Sequence, residues 1–179
     1  MAEISDEIIM QRVKEGNLEE MSVLFERYHL RLYNFFLKMC MKKDISQDLT
    51  QNLFYRMIKY KHTYKNEYTV KSWIYQMARN LHADYRKQMK KVDEKFMNTE
   101  LYPVDILDVR EGFEEDDYER LEKALSQLNA EQKEIIVLSR FQGLKYEEIS
   151  AIVDQSVPAI KVAMHRAIKQ LRGIYFSQT

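Results

Sequence analysis

Four glycines and two prolines are all the backbone punctuation this 179-residue chain contains. Sandwiches and barrels turn on Gly and Pro, and dinucleotide or P-loop sites need glycines at fixed offsets, so those architectures are not expected. A chain with so few breakers, rich in Leu, Lys, Glu, Met and Gln, is expected to be all-α. Apolar residues at 45% and charged residues at 31% give it a folded rather than a disordered composition.

The apolar spacing places the helices. Glu3 to Glu15 is amphipathic and stops at Gly16-Asn17. A second helix runs from Leu18 to Met41, with Met21, Leu24, Phe25, Tyr28, Leu32, Phe35 and Phe36 as its buried stripe. Asp44 or Ser46 is expected to cap a third helix that reaches Tyr60 and buries Ile45, Leu49, Leu53 and Met57, with Phe54 and Ile58 beside them. A polar, aromatic-rich loop, His62 to Thr69, precedes a fourth helix from Val70 to Lys91. Its stripe is Ile74, Met77, Ala78, Leu81 and Tyr85. Further helices are expected over Tyr118–Leu128, Ala130–Gln142, Leu144–Val153 and Val157–Tyr175. Asn129 and Ser156 serve as N-caps, Gly143 as a terminator, and Pro158 stands in a first turn where its missing N–H costs nothing.

Net charge is zero over the whole chain, which taken alone argues against a nucleic-acid binder. Divided along the sequence, the balance disappears. Residues 1–91 carry 17 Lys and Arg against 11 Asp and Glu; residues 92–122 carry 3 against 12; residues 123–179 carry 8 against 5. The expected organisation is two domains, 1–91 and 118–179, on an acidic flexible linker, 92–117, that contains Pro103, Gly112 and the run Glu114 to Asp117. The same partition would let the acidic linker fold back on the basic domains.

Two places carry binding chemistry. Helices 144–153 and 157–175, joined by the turn Asp154-Gln155-Ser156, follow the helix-turn-helix plan. In the second, Ile160, Met164, Ala167, Ile168 and Leu171 pack on Ile149, Ile152 and Val153, leaving Lys161, His165, Lys169 and Arg172, with Arg166 beside them, on a face suited to a major groove. The other place is the stretch from Tyr60 to Lys91. There Tyr60, Tyr64, Tyr68, Trp73 and Tyr75 interleave with Lys59, Lys61, Lys65, Lys71 and Arg79, the pattern of a surface that stacks single-stranded bases. Aromatics at a helix start also serve as core, so the residues alone leave both roles open.

Catalytic and metal chemistry find no foothold, and no cofactor is expected. His29, His62, His82 and His165 are scattered without an i, i+4 pair, and no phosphate-cradling glycine loop exists. The single cysteine, Cys40, between Met39 and Met41, is expected to be a buried thiol. An acidic N-terminus and the lack of a long uncharged run lead to the expectation of a cytoplasmic protein with no membrane insertion.

Four motifs in order give the chain a resemblance to bacterial RNA polymerase sigma factors of the extracytoplasmic-function (ECF) subfamily. Asp48-Leu49-Thr50-Gln51-Asn52-Leu53-Phe54 looks like sigma region 2.2, with Asn52 where Glu is usual. Ser72-Trp73-Ile74-Tyr75-Gln76-Met77-Ala78-Arg79-Asn80, with Asp84 and Arg86, looks like regions 2.3 and 2.4. Ala124-Leu125 and Leu128 with Gly143 to Ile149, then Ser156 to Val162 with His165-Arg166-Ala167, look like region 4. Asp154 replaces a common Gly, and Val162 and Ala163 depart from a usual small polar residue and Arg.

The resemblance implies a protein that catalyses nothing itself. It docks on core RNA polymerase and directs promoter recognition and melting. Asp48, Gln51 and Asn52 would meet the β′ clamp helices, while the second domain meets the β flap. Tyr64, Lys65, Tyr68, Lys71, Trp73, Arg79, Asn80, Arg86 and Lys87 would hold the −10 element as single strand with a flipped base. Pro158, Lys161, Val162, His165, Arg166 and Lys169 would read the −35 element as duplex. The linker would thread toward the active centre, and an anti-sigma factor is an expected partner. Two other readings are a helix-turn-helix regulator that is not a polymerase subunit, and a helical adaptor that does not touch DNA.

Overall fold

The computed structural model describes residues 4–95 and 115–177; the linker expectation falls mostly on residues outside these ranges. Among the described residues there are eight α-helices and no strand. They are α1 (Asp6–Lys14), α2 (Met21–Cys40), α3 (Lys43–Lys59), α4 (Val70–Lys95), α5 (Glu115–Ser126), α6 (Ala130–Ile136), α7 (Tyr146–Val153) and α8 (Val157–Ser177). Helix α4 runs beyond its expected end at Lys91, and α5 begins before Tyr118, so ordered helix enters both ends of the expected linker.

The first four helices form one bundle. Ser5 caps α1 by accepting from the Ile8 amide, which trims the expected start at Glu3. Asp6 then ties α1 to α2 by accepting from the Arg27 guanidinium and the Tyr28 hydroxyl. Helices α2 and α3 form an antiparallel hairpin around Leu32, Phe35, Phe36, Leu49, Leu53 and Met57. The turn between them is made by Met41, in the left-handed conformation at φ 58°. Neither Asp44 nor Ser46 caps α3, which starts at Lys43. Ser46 is buried instead and its hydroxyl donates to the Lys42 carbonyl at 2.5 Å. Phe25, expected in the stripe of α2, is 45% exposed, stacked on His29 and tilted against Phe54. The α2 stripe drifts around the helix, and the partner helix covers only part of it.

The last four helices form the second bundle. Asn129 caps α6 as expected, accepting from the Gln132 amide at 2.8 Å. Helix α6 loosens into a π turn, Val137–Phe141, and Gly143 follows at φ 66°. Glu148 accepts from the Lys145 amide at 2.8 Å, half of a capping box, so α7 begins at Tyr146 rather than Leu144. Ser156 caps α8, accepting from the Ala159 amide at 3.4 Å. Ile160, Met164 and Ala167 of α8 are buried among Ile149, Ile152 and Val153 of α7 and the α5 and α6 stripes.

The turn between α7 and α8 depends on Asp154, which adopts the left-handed conformation at φ 55°. A residue with a Cβ is strained there, Asp less than most. Asp154→Gly is expected to hold or raise stability by up to about 1 kcal/mol, and Asp154→Val to lower it by about 1–2 kcal/mol, in urea denaturation. A Val variant as stable as the parent would show that the turn can relax into another geometry.

Candidate nucleic-acid interface

The helix-turn-helix presents its basic face as the spacing predicts. With Ile160, Met164 and Ala167 turned inward, Pro158, Lys161, Val162, His165, Arg166, Lys169 and Arg172 are all exposed. Among the described residues none of the cations on this face is paired with a carboxylate. Val162, an apolar side chain 51% exposed between Lys161 and Arg166, faces outward with them.

The loop before α4 is more rigid than its composition suggests. Lys14 donates to the Tyr64 carbonyl at 2.8 Å, and Lys61 donates to the Val13 carbonyl at 3.0 Å, so two ammonium groups sew the loop to the end of α1. The Ser72 amide donates to Thr69 Oγ1 at 3.1 Å and the Val70 amide to Glu7 at 3.3 Å, which caps the start of α4. Tyr64 is turned into the core at 1% exposure, edge-on to Trp73, its hydroxyl donating to the Tyr68 carbonyl at 3.1 Å. In this conformation Tyr64 shapes the loop and has no free ring face for a base. Trp73 is half-buried, and its indole N–H donates to Thr63 at 3.4 Å. The outward aromatic is Tyr68, 53% exposed, near exposed Lys65. Tyr60, expected in this patch, and Tyr55, which was not, are both exposed, with the Lys59 ammonium 5.4 and 5.9 Å from their ring centres.

Helix α4 divides its polar residues between two faces. Asn80, Arg86 and Lys87 are exposed. Lys71 and Arg79 instead meet the second bundle. Arg79 Nε donates to both Glu134 oxygens at 3.0 Å, and Lys71 lies 3.9 Å from Glu148. Between them the buried Tyr75 hydroxyl donates to Gln142 at 2.7 Å. Burial raises the Glu134 carboxyl above its ordinary range while Arg79 opposes the rise. On α3, Asp48, Gln51 and Asn52 lie together on the exposed face, with Asn52 accepting from Arg56 at 3.2 Å. Cys40 is partly buried, and burial pushes the thiol up to about 12 against the opposing charges of Lys133 and Lys42, so little of it is thiolate at neutral pH. No group of His, Cys, Asp and Glu among the described residues could hold a metal ion, and no helix among them is long and apolar enough to cross a membrane.

Two helical bundles, one ending in a helix-turn-helix whose basic helix is open to solvent, define a DNA-binding protein of the all-α class. Comparison with known families is specific. Residues 24–92 match sigma-70 region 2, and residues 118–171 match sigma-70 region 4. The chain is 28% identical to the ECF RNA polymerase sigma factor SigM of Bacillus subtilis, over 85% of this chain and 93% of that one. It is 25% identical to SigX of the same organism, over 86% and 82%. The sigma factor RpoE of Bartonella quintana, solved with the anti-sigma factor NepR, shares the fold at TM-score 0.74 and 23% identity, over 87% of this chain and 96% of that one. The chain belongs to the ECF sigma factors of bacterial RNA polymerase.

One buried base makes the fold pH-sensitive. His82 on α4 is buried, and burial first, then the charges of Arg86 and Lys133, lower its pKa from 6.5 to about 4. The neutral imidazole is therefore the form that fits. Stability from this group is complete above pH 6.5 and drains away as pH falls toward 4. Between pH 7.5 and pH 5 the parent is expected to lose about 2 kcal/mol more than His82→Gln in urea unfolding. Glu134, raised rather than lowered, works in the opposite direction, so the difference between parent and variant is what isolates His82. Equal losses in the two proteins would refute the assignment.

Proposed function

We propose that this sigma factor grips core polymerase and two promoter elements with separate faces of its two bundles. The exposed face of α3, with Asp48, Gln51 and Asn52, contacts the β′ clamp helices, and the second bundle contacts the β flap. The loop before α4 and the outward part of α4 hold the −10 element as single strand. Tyr68 stacks on a base, and Lys65, Lys71, Arg79, Asn80, Arg86 and Lys87 contact the strand. Tyr64 and Trp73 support that loop from within. Helix α8 enters the major groove of the −35 element with Pro158, Lys161, Val162, His165, Arg166 and Lys169. The acidic linker threads toward the active centre, an anti-sigma factor restrains the protein, and it works in the cytoplasm without chemistry of its own.

The observation that carries this reading is the unpaired basic face of α8, set opposite the apolar stripe that fixes its orientation. Cations without carboxylate partners on a helix free to enter a groove suit phosphates and guanine edges.

In vitro transcription with core polymerase on genomic DNA, with start sites read by sequencing, identifies a promoter. On it, Lys161→Ala with Arg166→Ala is expected to reduce transcription to background. Each lost phosphate contact lowers the salt slope of binding by about 1. Unchanged transcription would remove α8 from the −35 element. Asp48→Ala with Gln51→Ala is expected to cut co-purification with core polymerase roughly 10-fold. Undiminished recovery would favour a regulator that is not a polymerase subunit.

A further inference from the structure

Helix α1 touches the loop before α4 at both of its margins. Residues 65–69 of that loop are exposed, and they are bracketed by Tyr64 and Val70, exposed at only 1% and 0%. At one margin Lys14 donates to the Tyr64 carbonyl at 2.8 Å, and Lys61 reaches back to the Val13 carbonyl at 3.0 Å. At the other the Val70 amide donates to the Glu7 carboxylate at 3.3 Å. Glu7 and Lys14 stand seven residues apart on α1, about 10 Å along its axis. The margins of the loop are thus held at a separation that a hydrogen-bonded helix sets.

The helix that does this is itself fixed. Ile9, Met10 and Val13 are buried in the bundle, and Asp6 accepts from Arg27 and Tyr28 of α2. The Lys61 ammonium, one of the cations interleaved with the loop's aromatics, is turned to the C-terminal end of α1, where carbonyls without helical partners favour a cation. All of these contacts join elements of the first bundle, so none involves the seam between the two bundles at Lys38, Tyr75 and Arg79.

From α1 the constraint passes to the outward aromatic. Lys14 holds the Tyr64 carbonyl and lies 5.9 Å from the Tyr64 ring centre, and the Tyr64 hydroxyl donates to the Tyr68 carbonyl at 3.1 Å. Tyr64 is pinned at its backbone by α1, and with its side chain it pins the backbone of Tyr68. A free loop must give up conformational entropy when a strand binds, and a loop already held in one arrangement gives up less.

We infer that Lys14 is a positioning residue for the −10 strand: without touching DNA, it acts through Tyr64 to hold Tyr68 and the exposed loop in the arrangement that binds. Lys61 and Glu7 serve the same end from the two margins. The inference rests on the assignment of Tyr68 to the −10 element. It adds that a helix outside the proposed DNA-binding surface sets the affinity of that surface.

The test uses the full-length protein assembled with core polymerase. Fluorescence anisotropy reads the affinity of this holoenzyme for a single-stranded oligonucleotide carrying the −10 sequence of a mapped promoter, and separately for a duplex carrying only the −35 element. Lys14→Met keeps an apolar stem and removes the ammonium, whereas Lys14→Arg keeps a charged donor. The expected result for Lys14→Met is about 5- to 20-fold weaker binding of the single strand, with duplex binding and retention on core polymerase like the parent. Lys14→Arg is expected to recover most of the loss, and Lys61→Met to reproduce it. Tyr68→Ala, which removes the stacking ring itself, is the reference for the −10 site. Undiminished single-strand binding by Lys14→Met, beside a loss in Tyr68→Ala, overturns the inference and leaves the −10 assignment standing. Undiminished binding by both variants overturns the inference and takes Tyr68 out of the −10 site. A loss shared by the duplex and by core retention overturns it by tracing the effect to the fold of the bundle. A loss that Lys14→Arg leaves unrepaired overturns it by separating the effect from the bond to Tyr64.

Discussion

The arrangement of the whole molecule depends on where α2 delivers the Lys38 ammonium. An ammonium removed from water without compensation costs several kcal/mol, so the end of α2 can be covered only by a surface that answers it. The second bundle does so with Glu122, the Tyr118 hydroxyl and two aromatic faces. Once that contact is set, Tyr75 meets Gln142 and Arg79 meets Glu134. The register decides which faces remain open: the outer face of α3, with Asp48 and Gln51, and the basic face of α8. The faces proposed for polymerase and duplex DNA are thus exposed for the same reason that part of α4 is not.

Elements set by local rules were legible in the sequence. Helices followed from spacing, and the caps at Asn129 and Ser156 lie where a short polar side chain precedes an apolar-periodic run. The orientation of α8 was legible because one stripe is apolar and the rest is not. What the sequence left hidden depends on partners distant along the chain. Phe25 and Tyr64 have equal claims to burial by residue type, yet Tyr64 is held inward by Lys14 from α1, fifty positions away, while the α2–α3 contact leaves Phe25 at its margin. Arg79 reads as a free cation until Glu134, fifty-five positions on, is placed against it. Lys133 reads as a surface lysine, and only the docking of the bundles makes it buried.

The charge partition also takes a different meaning in three dimensions. By sequence the acid is concentrated in residues 92–122, and the natural expectation is that this linker shields the basic domains. The carboxylates placed against Lys71 and Arg79 are those of Glu134 and Glu148, in a segment with net positive charge, while Glu122 of the acidic segment pairs with Lys38. Segment charge is a sum over faces. The second bundle is basic along α8 and acidic at the seam, so it can offer cations to a duplex on one side while capping cations of α4 on the other.

The seam sets a few polar pairs into an apolar core that runs through both bundles. Replacing buried ion pairs by packed hydrocarbon often leaves a fold as stable or more so. As sources of attraction alone, Lys38 with Glu122 and Tyr75 with Gln142 would be poor choices beside leucine and phenylalanine. Because the apolar core is continuous between the two bundles, the polar contacts fix the register of the docking rather than supply its whole attraction.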